Sequence, residues 1–65
     1  MDIKDVASKV LNLPEVEAIE IILSAGLKVR VLERDGQRFM HTREARSNRI
    51  NLLIKDGIVF ETTLG

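Results

Sequence analysis

Hydrophobic positions change period once along this chain, from helical spacing before residue 26 to alternation after it. Ile3, Val6, Val10 and Leu11 fall on one face of a short helix. Asp2 stands where an N-cap is wanted, with Asp5 three residues on in a box-like position, and Asn12 is a plausible stop. A frayed or extended N-terminus is the competing reading. Pro14 fits the first position of a second helix, where its missing N–H costs nothing. Val16, Ile19, Ile22 and Leu23 then form a stripe, with Ala18 beside it. Glu15, Glu17 and Glu20 crowd the end that the helix dipole makes positive. Gly26 suits a left-handed cap, and Leu27 supplies the apolar contact beyond it. The pattern predicts a helix over residues 14–25. A strand is the rival, because the region is β-branched and partly alternates; the Pro start and Gly stop favour the helix.

After Gly26, residues 28–33 alternate polar and apolar as a half-buried strand does. Asp35-Gly36 is a hairpin signal, and residues 37–42 can pair back with Phe39 on the core face. Residues 50–54 are the most apolar strand and are expected at the centre of the sheet. Asp56-Gly57 is a second hairpin signal, from which residues 58–62 return. The predicted core is Val16, Ile19, Leu23, Val29, Val31, Leu52, Ile54 and Val59. The fold class is α+β: one or two short helices packed on a small mixed or antiparallel sheet with an exposed loop, all in one domain over residues 1–65.

Composition narrows the function. The chain has 65 residues, of which 45% are hydrophobic, so one small core is within reach. Phe39 and Phe60 are the only aromatic residues, and both read as core. Without cysteine there is neither a disulfide frame nor a thiolate metal site, and the single His41 cannot hold zinc alone. No metal or other cofactor is expected. Ten basic and ten acidic residues balance, which argues against a basic field for nucleic acid. Arg38, Arg43, Arg46 and Arg49 form at most a local patch, with no aromatic platform for stacking. No apolar run approaches the ~20 residues of a membrane span, and the first residues lack the shape of a signal peptide. A cytoplasmic protein is expected; a processed secreted domain stays open. His41 has no Ser or Asp placed for a relay, and Ser8, Ser24 and Ser47 lack a nucleophile-elbow setting, so no enzyme is expected.

The stretch that remains is Thr42-Arg43-Glu44-Ala45-Arg46-Ser47-Asn48-Arg49, ahead of the apolar strand. It is too charged for core, and it lacks the Gly or Pro of a tight turn. Three arginines and a carboxylate can brace one another, because a guanidinium donates in a fixed fork that matches a carboxylate or a carbonyl. The pattern Thr-Arg-Glu-x-Arg-x-Asn-Arg-Ile-x-Leu resembles the reactive-site segment of the potato inhibitor type I family of serine-protease inhibitors. The resemblance covers most of the chain after Pro14 and includes residues 16–23 as that family's single helix. It implies that Arg43 is the specificity residue for a trypsin-like protease, with Thr42 before it and Glu44 after the scissile bond. It implies that Arg46 and Arg49 brace the loop, with Asn48 between them and Gly65 as the terminal glycine. The chain departs from the family in three ways. Its approach from Leu32 to Arg43 is longer and contains the Asp35-Gly36 turn, Ala45 replaces an aromatic residue, and the usual N-terminal Trp is absent. The alternative is a non-inhibitory interaction module, or a homodimer joined through an edge strand at residues 37–42 or 58–62.

Overall fold

Asp2 opens the first helix as a cap: its carboxylate accepts from the backbone N–H of Lys4 at 3.3 Å. Helix α1 runs Ile3–Val10, so the extended alternative for the first residues does not hold. The computed structural model describes residues 2–40 and 46–65. Helix α2 follows as Glu15–Ser24, with Pro14 in the cap position just before it rather than in its first turn. It ends in a paired cap. The N–H of Gly26 donates to the Leu23 carbonyl and that of Leu27 to Ile22, while Gly26 takes the left-handed φ of 78°. Four strands come next: β1 Lys28–Arg34, β2 Gln37–Arg38, β3 Arg49–Lys55 and β4 Ile58–Leu64. Two two-residue turns join β1 to β2 and β3 to β4. In both, Asp and Gly have positive φ (52° and 82°, then 53° and 77°), the geometry that matches the twist of flanking strands.

The sheet order is β2-β1-β3-β4. β1 and β2 are antiparallel, as are β3 and β4, but β1 and β3 run parallel. The sheet is therefore mixed. The parallel pair forces a long return: residues 39–48 carry the chain from β2 back to the end of the sheet where β1 began. β3 is central, as its apolar run implies.

Both helices lie on one face of the sheet, α1 over β4 and α2 over β1 and β4. Between them sits the core of Val6, Ala7, Val10, Ala18, Ile22, Ile50, Leu52, Ile54 and Val59. Ile19, Leu27, Val29 and Val31 are half-buried against it. Two expected core residues are not there: Val16 is 71% exposed and Leu23 55% exposed. α2 is apolar on more than one side, so its stripe is ambiguous, and the face turned inward is the one centred on Ala18 and Ile22. Leu11 lies beyond the end of α1 and is exposed. Phe60 is also exposed, on the edge strand. Phe39 is half-buried outside the core, with the Arg34 guanidinium 5.5 Å from its ring centre. Among the described residues, β2 has only two residues, fewer than the expected 37–42.

The edge of β4 is partly covered. Val59 donates to the Leu13 carbonyl at 2.9 Å and accepts from Asn12 at 2.7 Å, and Glu15 donates to the Gly57 carbonyl. The link between the helices thus lies along the start of β4 like a short extra strand. Arg34 ties the sheet to the start of α2, with Nε at 3.1 Å and Nη2 at 2.6 Å from the two carboxylate oxygens of Glu15. That hydrogen bond, with the charge of Glu15, raises the guanidinium's pKa above its ordinary value. Among the described residues, no helix is long and apolar enough to cross a membrane.

Candidate functional site

The return between β2 and β3 holds the segment singled out in the sequence. His41, Thr42, Arg43, Glu44 and Ala45 lie outside the described residues, so the expected specificity residue and its neighbours have no described geometry. The described residues that flank them are Met40 on one side, fully exposed, and Arg46, Ser47 and Asn48 on the other, also exposed. Asn48 is where the return rejoins the sheet: its carbonyl accepts from the N–H of Lys28 at 2.8 Å, one residue before β3 begins.

Arg49 opens β3 and is only 8% exposed. Its Nη2 donates to the carbonyl of Gly65 at 2.6 Å, and the N–H of Gly65 donates back to the Arg49 carbonyl at 3.2 Å. The foot of the return is therefore joined to Gly65. A guanidinium suits this position, because its fork can donate in several directions while its stem packs against neighbours. Arg46 lies exposed farther out on the same foot.

One step along β3, the residues turn over. Ile50 and Leu52 enter the core, so Asn51 between them points to the face away from the helices. It is nevertheless 3% exposed. Arg30 on β1 and Thr63 on β4 are its register partners on either side. Arg30 Nε donates to Asn51 Oδ1 at 3.0 Å, and Asn51 Nδ2 donates to Thr63 Oγ1 at 3.2 Å. A buried amide costs free energy unless its donors and acceptor are satisfied, and here a strand on each side provides for it. The end of the sheet nearest the return thus carries a polar cluster of Arg30, Arg49, Asn51 and Thr63 on the side opposite the apolar core.

Sequence reasoning named Arg49 and Gly65 but passed over Arg30, Asn51 and Thr63. One signal was present: an Asn in the middle of the most apolar strand is a poor strand former and calls for partners. The partners themselves follow only from register.

The far end of the sheet is arranged differently. The two turns touch, with Asp35 Oδ1 accepting from the N–H of Asp56 at 2.7 Å. Arg38 Nε meets Glu33 Oε1 across β1 and β2 at 3.2 Å. Glu33, Asp35, Lys55, Asp56 and Phe60 border an open concavity there. Among the described residues, no group of three or more His, Asp or Glu side chains could hold a metal ion. No protein-family model, no curated protein and no solved structure matches the chain.

Proposed function

We propose that the chain is a small serine-protease-inhibitor-like domain that presents residues 42–49 to a trypsin-like protease. The observation that carries this reading is the buried Arg49, whose guanidinium binds the Gly65 carbonyl at the foot of the segment. The resemblance to the potato inhibitor type I family implies that Arg49 is one of two loop-bracing arginines and Gly65 the terminal glycine. In this reading Arg43 enters the protease pocket and meets its carboxylate. Glu44 follows the scissile bond, Thr42 and Glu44 accept from Arg46 and Arg49, and Ala45 and Asn48 complete the loop. Stiffness at the foot lowers the ordering cost of binding, which runs at about 0.5–1.5 kcal/mol for each side chain immobilised. No enzymatic activity and no nucleic-acid partner form part of the reading.

The test is incubation with trypsin, with residual protease activity and the mass of the chain followed over time. Slow, limited cleavage with strong inhibition is expected. Arg43→Ala removes most of the inhibition, and Arg43→Leu redirects it toward proteases with apolar pockets. Rapid cleavage after Arg43 without inhibition overturns the proposal. The second reading, a module that pairs through an edge strand, draws on Phe60 and Leu64, both exposed on β4. A doubled mass in light scattering favours it.

A further inference from the structure

Among the described residues, the Arg49–Gly65 and Arg30–Asn51 ties near the foot of the return differ in what they join. Arg49 and Gly65 both lie after the proposed scissile bond, Arg43–Glu44. Hydrolysis there adds one water across the peptide bond and leaves a carboxylate on Arg43 and an amine on Glu44. Resynthesis reverses this and releases the water. The Arg49–Gly65 contact stays within the second piece throughout, so it cannot by itself keep the new ends together. Arg30 belongs to the first piece, and Asn51 and Thr63 belong to the second. The hydrogen bond from Arg30 Nε to Asn51 Oδ1, at 3.0 Å, spans the cut.

Position along the ladder sharpens the difference. From the return inward, β1 and β3 pair as Lys28 with Arg49, Val29 with Ile50, then Arg30 with Asn51. Arg46, Ser47 and Asn48 lead away from the sheet at this end, exposed, so the clipped second piece frays here first. In the first two rows the backbone ladder joins the strands across the cut. The third adds a charge-assisted side-chain bond that fixes the two strands side by side. Asn51 is in turn held by Thr63 on the opposite strand, at 3.2 Å, so its amide does not turn away. Among the described residues, another bond across the cut, in which Asp35 Oδ1 accepts from the Asp56 N–H, lies at the far end of the sheet.

We propose that Arg30 and Asn51, backed by Thr63, are the positioning residues that hold the two pieces of the clipped chain in register for resynthesis. The proposal rests on the inhibitor reading for its purpose, but its structural claim can be measured separately. The experiment uses the full-length chain incubated with a small amount of trypsin. The ratio of clipped to intact chain at equilibrium is read by mass, and separation of the clipped pieces is followed by native mass spectrometry. Arg30→Ala and Asn51→Ala are expected to raise that ratio about tenfold and to speed separation by a similar factor. Arg30→Met keeps the stem of the side chain and removes only the donor; it serves if Arg30→Ala does not fold. Glu15→Ala is the control. It breaks an ion pair that lies wholly within the first piece, and it is expected to leave the ratio near the wild-type value. Equal effects of Arg30→Met and Glu15→Ala overturn the proposal, as does an Arg30 variant whose ratio and separation match the wild type. A wild-type chain that is clipped without inhibiting trypsin defeats the inhibitor reading alone, since separation of the pieces still decides the role of Arg30.

Discussion

Two neighbouring residues on α2 provide a sharp test of which way that helix faces. Ile22 is fully buried in the core, and Leu23 is 55% exposed beside it. Ile22→Ala removes three side-chain carbons from a site enclosed by both helices and the sheet. Transfer alone is worth about 0.8 kcal/mol per methylene, and the residual cavity brings the expected cost to about 3–4 kcal/mol. Leu23→Ala removes as many carbons, but roughly half of that surface already meets water. Alanine is also the better helix former, so the expected cost is below about 1 kcal/mol. A domain of this length has roughly 3–10 kcal/mol of stability to lose. Ile22→Ala should therefore leave the fold marginal, and Leu23→Ala should barely move it. Urea unfolding followed by circular dichroism reads both, with the slope checked for constancy so that a midpoint shift means stability. If Leu23→Ala costs as much as Ile22→Ala, the helix is turned the other way and the assigned core is wrong.

Further outcomes follow from the turns and from the charged groups. Gly57→Ala places a side chain at φ 77°, where a Cβ meets no neighbour within 4 Å, so the cost is backbone strain alone, about 1–2 kcal/mol in urea unfolding. Arg49→Ala removes the bond to Gly65 from a nearly buried site and should cost about 1.5–3 kcal/mol by the same assay. It should also speed hydrogen exchange at the Gly65 amide, and unchanged exchange would refute the tie. The raised pKa of Arg34, caused first by its hydrogen bond to Glu15, means that its contribution is complete below the ordinary guanidinium value. That contribution is lost only as pH rises through the still higher folded value. Unfolding of Arg34→Met and wild type compared from pH 7 to 10 should therefore show a constant difference.

The strands were legible because their signals are local. The Asp-Gly pairs at 35–36 and 56–57 need positive φ at both positions, and each falls between alternating runs, so the hairpins can be read directly. The helix at 15–24 was readable from its Pro and Gly boundaries. Its orientation was not, because Val16, Ala18, Ile19, Ile22 and Leu23 offer more than one apolar face and only the sheet decides among them. The parallel pairing of β1 with β3 was equally hidden, since it depends on how residues 39–48 travel rather than on any residue type. The polar cluster shares that difficulty: Arg30, Asn51 and Thr63 are far apart in sequence and meet only through strand register. Arg49 and Gly65 were found through the family resemblance, not through periodicity.

The link between the helices has a consequence for solubility. An exposed strand without lysine or proline is a template for further strands, and β4 reads Ile-Val-Phe-Glu-Thr-Thr-Leu. Asn12 and Leu13 occupy both backbone groups of Val59 along that edge, beside the most apolar part of β4. Removal of residues 1–13 would withdraw this cover along with part of the core, and the shortened chain should form fibrils that bind thioflavin at concentrations where the whole chain stays dispersed. Residues 2–13 thus cover part of the β4 edge as well as contributing to the core.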